Sequence, residues 1–194
     1  MKQNKTIIRK QKWNVIDRFL SYWRTRFIDK YIGADSIVAD IGCGQEGSFL
    51  LSIAHKIKRG YGYDFNLKEE SSKGNITLLN TDFLDDSKQY NIVLLIATLE
   101  HLPYPQEVHI LLTEVYSRLQ SGGYFILTTP DKRSQGLLEF LSYKMHLLNE
   151  EEIRDHKHYF DKGELENLMV LHGFREISHK YFQLGLNNLV ICRK

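Results

Sequence analysis

Three glycines behind an apolar run are the first residues whose spacing indicates chemistry. Gly42, Gly44 and Gly47 follow the run Ser36–Ile41 and spell GxGxxG, and Asp64 lies 22 residues after the first glycine. Glycines in this pattern let a loop and a helix N-terminus approach a ligand closely. A carboxylate at that distance can accept hydrogen bonds from both hydroxyls of a ribose. The spacing predicts a site for a cofactor that carries a nucleoside.

The charges around the glycines indicate which nucleoside. A pyrophosphate would be repelled by Asp40 and Glu46, which flank or lie within the loop, because the N-terminus of a helix otherwise favours anions. An anionic strand end suits an amine instead. Asp82 could accept a hydrogen bond from an adenine amino group, with Phe83 or Phe65 against the ring. An amine, a ribose and an adenine together describe S-adenosylmethionine.

Two histidines are candidate general bases, because imidazole accepts a proton near neutral pH. His101 follows the predicted strand Asn91–Ala97, and His156 lies in the charged stretch Asn149–Lys157. The alternatives are structural. His101 could hydrogen-bond the backbone or Glu100 in a first helical turn, and His156 could lie in a solvated loop. A base role for either residue is therefore a hypothesis.

We expect no metal site. Glu152, His156 and His158 are close in sequence, but a run of acids such as Glu150–Glu152 is typical of a solvated turn. The chain has neither a CxxC nor an HExxH motif. Cys43, between two glycines, is expected to fill space rather than act as a nucleophile.

Short apolar runs that alternate with helical stretches must position these residues. We predict seven strands, five helices and a Rossmann-like, doubly wound α/β domain with a mostly parallel sheet. The expected strands are 36–41, 61–63, 76–79, 91–97, 124–128, 174–178 and 186–192, and the expected helices are 48–57, 105–119, 137–148, 161–172 and the N-terminal segment. In such sheets the ligand lies at the carboxyl ends of the strands, where the strand order reverses.

The chain from residue 36 to 194 resembles the class I methyltransferases, in particular the small-molecule or lipid-modifying branch with an LEH segment after the fourth strand. The matching stretches are Val38–Gly44, Gly62–Asp64, Asp82–Phe83, Tyr90–His101, Ser121–Pro130, Asp155–Phe160 and Leu165–Phe174. Gln45 departs from the small residue common there, and no Asp/Asn-Pro-Pro-aromatic tetrad follows the fourth strand. The latter lowers the expectation of a DNA amine methylase.

The resemblance also implies which residues bind S-adenosylmethionine. They are Asp40, Gly42 and Gly44 beside the methionine moiety, Asp64 at the ribose, Asp82 and Phe83 at the adenine, and Ile96 at the end of the fourth strand.

Composition narrows the classes. The 194 residues are 42% hydrophobic and 26% charged, as in a globular domain, and no apolar run approaches the roughly 20 residues that span a bilayer. The N-terminus lacks the pattern of a signal peptide, and two cysteines make no disulfide framework, so we expect a cytoplasmic protein. Residues 1–30 carry nine basic and two acidic side chains, a net charge of +7.

We therefore divide the chain into a basic amphipathic helical extension, residues 1–34, and a methyltransferase domain, residues 35–194. The extension could dock its aromatic stripe on the domain, cover a substrate pocket, or contact an acidic membrane surface. We expect methyl transfer from S-adenosylmethionine to oxygen of a small or lipid-linked acceptor, such as a glycan precursor. Nucleic acid is a less favoured substrate. The alternatives are a nucleic-acid methyltransferase, a non-catalytic cofactor-binding partner subunit and an NAD-dependent oxidoreductase.

Overall fold

A computed structural model describes residues 26–143 and 150–194. These ranges form an α/β fold with five α-helices and eight strands. The helices are α1 (Ser48–Ile53), α2 (Gln106–Arg118), α3 (Gln135–Tyr143), α4 (Glu150–Arg154) and α5 (Lys162–Leu171). The strands are β1 (Ile37–Ile41), β2 (Arg59–Tyr63), β3 (Ser71–Lys73), β4 (Ile76–Leu79), β5 (Tyr90–Ile96), β6 (Leu119–Pro130), β7 (Arg175–Phe182) and β8 (Asn187–Arg193).

The described strands form a single sheet in the order β3-β4-β2-β1-β5-β6-β8-β7. Neighbouring strands from β4 through β6 are parallel, whereas β8 runs antiparallel to both β6 and β7. The chain proceeds outward from β1 to β2 and β4, then crosses back to β5 on the other side of β1. This reversal places the switch point between β1 and β5, as a doubly wound sheet requires. The predicted fold class is confirmed.

The sheet has one strand more than the seven predicted. The additional strand, β3, pairs antiparallel with β4 at the edge of the sheet. The two are joined by a tight turn at Gly74, whose φ is +62°, a conformation that glycine adopts without steric cost. The sequence of β3, Ser-Ser-Lys, has no alternation of apolar and polar residues, so hydrophobic periodicity could not predict this strand.

Several predicted element boundaries also differ. Asn149–Lys157 was expected to be a loop throughout, but Glu150–Arg154 form α4. The strand expected to end at Ser178 continues to Phe182 because it pairs with β8 along that length. The predicted helix 48–57 ends at Ile53 and continues as a 3₁₀ turn. The predicted helix 137–148 begins at Gln135, and its residues after Tyr143 lie outside the described ranges.

Alternate residues of β5 build the core on both sides of the sheet. Val93 and Leu95 pack into one cluster with residues of α2 and α5, and Ile92 and Leu94 pack into the other with residues of α1. All four side chains are at most 1% exposed. A parallel strand that is covered on both faces needs such a continuous apolar run, which is why Asn91–Ala97 was recognisable.

Only the end of the N-terminal segment is described. Ile28 is fully buried, and the rings of Phe27 and Phe182 meet edge to face with centroids 5.8 Å apart. The Tyr31 and Tyr124 rings lie 4.9 Å apart. Phe27, Ile28 and Tyr31 therefore pack on the domain. The predicted amphipathic helix before residue 26 lies outside the described residues.

Helix α5 begins and ends where its sequence predicts. Asp161 accepts a hydrogen bond from the Glu164 amide, and Glu164 accepts one from the Asp161 amide, both at 2.9 Å. This capping box satisfies two amides that lack partners within the helix. Gly173, with φ +86°, provides the left-handed residue that ends many helices. The cap thus fixes the start of α5 directly after the segment that carries His156.

Candidate active site

The glycine loop leaves β1 in a conformation that side chains disfavour. Gly42 and Gly44 have φ of +76° and +73°. A Cβ on Gly42 would lie 2.3 Å from Thr98 Oγ1, whereas a Cβ on Gly44 would meet no atom within 4 Å. Gly42 is thus required for packing against the end of β5. The space over Gly44 is open, so a ligand can approach its backbone directly.

Asp64 holds the loop in this shape. One carboxylate oxygen accepts a hydrogen bond from the Gly44 amide at 2.8 Å, and the other accepts one from the Asn66 amide at 2.7 Å. Each carboxylate oxygen has two lone pairs. Asp64 can therefore hold the loop and still accept hydrogen bonds from a ribose.

Asp40 is a buried carboxyl group beside this loop. It lies on β1 between Gly62 and Leu94 of the two neighbouring strands and is 3% exposed. Burial, and after it the negative charge of Asp64, raise the pKa of Asp40 to about 7. Among the described residues no lysine or arginine forms an ion pair with Asp40. The site is therefore electrostatically suited to a cationic group, as the sequence predicted.

Cys43 fills space between the strands. Its Sγ lies where a side chain on Gly62 would be, 2.7 Å from the position of such a Cβ. Burial, with the charges of Asp40 and Asp64, raises the pKa of the Cys43 thiol. A thiol that resists ionisation is a poor nucleophile, which agrees with the predicted packing role.

Of the residues predicted to contact the adenine, Asp82 and Phe65 lie outside the core, whereas Phe83 lies within it. Asp82 caps a 3₁₀ turn by accepting a hydrogen bond from the Leu84 amide at 3.0 Å. The Phe83 ring is 1% exposed and packs edge to face on Tyr63. It cannot stack on a ligand, because the core already encloses it. Phe65, directly after Asp64, is 69% exposed and is the aromatic ring free to do so.

The end of β5 is tied to the glycine loop. Thr98 donates a hydrogen bond that is shared between the carbonyls of Ile41 and Ile96, at 3.3 and 3.2 Å. Ala97, between Ile96 and Thr98, has a φ of +51°. This is a strained backbone conformation of the kind that concentrates at functional sites. Ile96, at the strand end, is half-buried and lies beside the loop.

The two predicted histidines lie together, although 55 positions separate them. The rings of His101 and His156 meet edge to face with centroids 4.9 Å apart. His101 Nδ1 hydrogen-bonds Asp155 Oδ2 at 3.1 Å, and His156 Nδ1 hydrogen-bonds the Tyr159 hydroxyl at 2.9 Å. A hydrogen bond from Lys157, together with the charge of His101, lowers the pKa of Asp155. We name Glu100, His101, Asp155 and His156 the histidine cluster.

Backbone hydrogen bonds fix the two halves of the histidine cluster against each other. The Glu100 carbonyl accepts hydrogen bonds from the amides of Lys157 and His158, at 2.7 and 3.4 Å. Farther along, the Phe160 carbonyl accepts one from the Lys132 amide at 3.1 Å. His156 is held in a partly buried position, where burial and the nearby His101 lower its pKa to about 4.

Sequence reasoning missed the contacts that assemble this site. Thr98, Asp155 and Tyr159 lie in stretches that resemble the family, but the sequence assigns them no contacts, and these arise across the fold. His158, grouped in the sequence with His156, instead stacks on Tyr104 with ring centroids 4.5 Å apart. The Glu152 side chain lies outside what is described. Among the described side chains, one ligand atom each from Glu100, His101 and His156 lie within 4.8 Å of one another.

A doubly wound sheet, a glycine loop after β1 and an acid after β2 define a nucleotide-dependent enzyme of the Rossmann-like class. A model of the methyltransferase domain family matches residues 13–179. The chain belongs to this methyltransferase family and is an S-adenosylmethionine-dependent methyltransferase. The comparison with curated proteins finds no match.

Solved structures share the fold. A SAM-dependent methyltransferase from Archaeoglobus fulgidus is 20% identical, with 91% of this chain and 94% of that chain covered and a TM-score of 0.71. N-methyltransferase NodS from Bradyrhizobium japonicum, in complex with S-adenosyl-L-homocysteine, is 17% identical, with 93% of this chain and 88% of that chain covered and a TM-score of 0.61. Magnesium protoporphyrin IX methyltransferase from Synechocystis, with the same ligand bound, is 14% identical over 96% and 90%, with a TM-score of 0.65.

The residues present fit S-adenosylmethionine. Asp40 would offer a buried carboxyl group to the cationic methionine end, the open space over Gly44 would admit the ligand, and Asp64 would have acceptor capacity left for the ribose. The NAD-dependent oxidoreductase alternative does not agree with the family match. No helix within the described ranges is both long and apolar enough to cross a membrane.

Proposed function

We propose that this methyltransferase methylates a hydroxyl oxygen of a small or lipid-linked acceptor, with His101 as the general base. The observation that carries the proposal is the hydrogen bond between His101 and Asp155 beside the end of β5. A base that is oriented by a carboxylate is the arrangement required to remove a hydroxyl proton. An amine that is already neutral can attack through its lone pair and does not need a base at that step.

The placements described above support a set of cofactor contacts that belongs to the same proposal. Asp40, Gly42 and Gly44 hold the methionine end, and Asp64 binds the ribose. Asp82 accepts from the adenine amino group, and Ile96 packs against the cofactor at the strand end. For stacking on the adenine we propose the exposed Phe65, since Phe83 is enclosed by the core.

His101 can use one ring nitrogen for orientation and the other for chemistry. When its Nδ1 proton is donated to Asp155, the lone pair is on Nε2. His101 Nε2 accepts the hydroxyl proton as the acceptor oxygen forms its bond to the methyl carbon. S-adenosylmethionine supplies that methyl group as an electrophile and leaves as neutral S-adenosylhomocysteine. Asp155, whose pKa is lowered, stays ionised and stabilises the imidazolium that forms.

His156 supports this role by remaining neutral. With a pKa lowered to about 4, its ring carries no charge near neutral pH and does not repel a protonated His101. It also covers one side of the His101 ring, which limits the access of water. Of the two histidines, His101 is therefore the base and His156 a positioning residue.

The acceptor class rests on charge. Residues 1–30 carry a net charge of +7, and an acidic group on the acceptor, or an acidic surface that presents it, would complement that segment. A lipid-linked, phosphate-bearing glycan precursor meets this condition and offers hydroxyl groups. Transient contact with an anionic membrane surface belongs to the same proposal.

The proposal is tested with S-adenosylmethionine labelled with carbon-13 in its methyl group. The protein is incubated with hydroxyl-bearing and amine-bearing acceptors, both free and as polyprenyl phosphate conjugates in anionic vesicles. The carbon-13 chemical shift of the product separates O-methyl from N-methyl and C-methyl groups. We expect an O-methyl product, and exclusive N- or C-methylation, or methylation of added RNA alone, would refute the proposal.

A matched pair of variants tests the base. His101→Ala should lower the rate by at least about 100-fold, the usual contribution of a general base, while binding of S-adenosylhomocysteine stays unchanged. His179→Ala is the control, because His179 lies on β7 and hydrogen-bonds Asn188. Equal rates for the two variants would exclude His101 as the base.

A further inference from the structure

The histidine cluster has the composition of a metal site. One carboxylate oxygen of Glu100 and one ring nitrogen each of His101 and His156 lie within 4.8 Å of one another. Two imidazoles and one carboxylate form a donor set that binds catalytic zinc in other enzymes and leaves a coordination position open. We infer that Glu100, His101 and His156 bind a divalent transition-metal ion.

Hydrogen bonding orients both imidazoles for this task. Each uses Nδ1 in the hydrogen bond described above, His101 to a carboxylate and His156 to a phenol. Their Nε2 atoms are thereby left to coordinate. A metal-binding histidine almost always has its second nitrogen held by such an outer partner, which fixes the ring and the tautomer. Asp155 and Tyr159 are the outer partners here.

Glu100 adds the negative charge. Its side chain is 1% exposed, and its backbone carbonyl is clamped by the amides that follow His156. A carboxylate buried this deeply is stabilised by a cation beside it. Around zinc, with bonds of about 2.1 Å, tetrahedral ligand atoms lie about 3.4 Å apart. A pair of donors at the upper limit of 4.8 Å therefore has to approach by about 1.4 Å when the ion binds.

The donor set also selects the kind of ion. Magnesium and calcium prefer oxygen ligands in six or more positions, whereas imidazole suits zinc, cobalt, nickel and iron. Two of the three donors are nitrogen, so a transition ion should bind in preference to magnesium.

The role of the ion rests on the proposed O-methylation. The acceptor hydroxyl would take the open coordination position and release its proton to bulk water, since a bound divalent ion lowers the pKa of a coordinated hydroxyl. The alkoxide oxygen then forms the bond to the methyl carbon as the carbon–sulfur bond breaks, and the sulfide keeps the electron pair. In this form of the enzyme His101 is a ligand, and the ion replaces it in activating the hydroxyl.

Binding is tested with untagged, metal-free protein and Co²⁺ or Zn²⁺ alone. We expect one equivalent of Co²⁺ to give visible absorption bands of nitrogen coordination, and Zn²⁺ to displace it, whereas excess Mg²⁺ does not. His156→Ala and Glu100→Gln should each weaken binding by at least about tenfold. His158→Ala is the matched control, because His158 lies two positions from His156 but stacks on Tyr104.

Binding of S-adenosylhomocysteine to each variant shows that the fold and the cofactor pocket are intact. Equal Co²⁺ binding by the protein and His156→Ala, or no binding at all, would overturn the metal site. Neither result touches the proposed O-methylation, which is read from the carbon-13 product. Conversely, an N-methyl product with Co²⁺ bound at the histidine cluster would refute the proposed acceptor and leave the metal site standing.

Discussion

Replacing Asp40 by asparagine should make the ligand-free protein more stable and the cofactor complex weaker. The Asp40 carboxyl is 3% exposed, and its pKa is raised from 3.8 to about 7. A carboxyl whose pKa is raised on folding binds more protons in the folded state than in the unfolded state. Stability therefore falls as the pH rises from the unfolded pKa to the folded one, and stays low above it.

The magnitude follows from the two pKa values. Each pH unit between them costs about 1.4 kcal/mol, so the full loss is about 4 kcal/mol once the pH exceeds 7. Between about pH 5 and about pH 8 the wild-type protein should lose about 2.5 kcal/mol relative to Asp40→Asn. The packing cost of the amide is the same at both pH values and cancels in this comparison.

The assay is urea unfolding of both proteins at the two pH values, with S-adenosylhomocysteine titrations in parallel. The unfolding free energies should diverge with pH in favour of the variant. Its affinity for the ligand should fall about 10- to 100-fold, the usual loss when a hydrogen bond to a charged group is removed. If the difference in unfolding free energy between the wild-type protein and Asp40→Asn did not change with pH, the pKa of Asp40 would not be raised in the folded state.

Four further substitutions test the loop, the stacking ring and the cap. Gly42→Ala should lower the free energy of unfolding by about 2–4 kcal/mol, because of the positive φ at this position and the clash with Thr98. Gly44→Ala, whose new side chain meets open space, should lower it by only about 1 kcal/mol. Equal losses for the two variants in urea unfolding would contradict this reasoning. Phe65→Ala should weaken S-adenosylhomocysteine binding by about 1 kcal/mol without destabilising the protein, and unchanged calorimetric affinity would exclude stacking. Asp161→Ala should lower thermal stability by about 1 kcal/mol with the cofactor affinity unchanged, and a loss of affinity would show that the cap reaches the site.

The positions of the glycine loop and of Asp64 could be predicted because each is encoded by a short stretch of sequence. Gly42, Gly44 and Asp64 lie at the ends of two consecutive parallel strands, and the sheet brings such ends together whatever the rest of the chain does. The apolar run of β5 likewise revealed its own position. In each case a short stretch of sequence carries the whole signal.

The remaining features depend on contacts that no short stretch encodes. His101 and His156 meet because the amides of Lys157 and His158 hydrogen-bond the Glu100 carbonyl, across more than fifty positions of the chain. The direction of Phe83 is decided by a single 3₁₀ turn, which points its ring into the core rather than toward the ligand. Asp64 was predicted to bind a ribose, but its hydrogen bonds to the loop were not predicted.

Those hydrogen bonds mean that the loop is preorganised. Because Asp64 holds the Gly44 and Asn66 amides in the ligand-free protein, the cofactor meets a loop that is already shaped, and little conformational entropy is lost on binding. If Asp64 binds the ribose as proposed, it contributes to affinity twice, once through that contact and once through the rigidity of the loop. Removal of the Asp64 side chain should weaken the binding even of ligands that have no ribose, such as the methionine fragment. Fragment binding can therefore separate the effect of the loop's rigidity from the direct contact with the ribose.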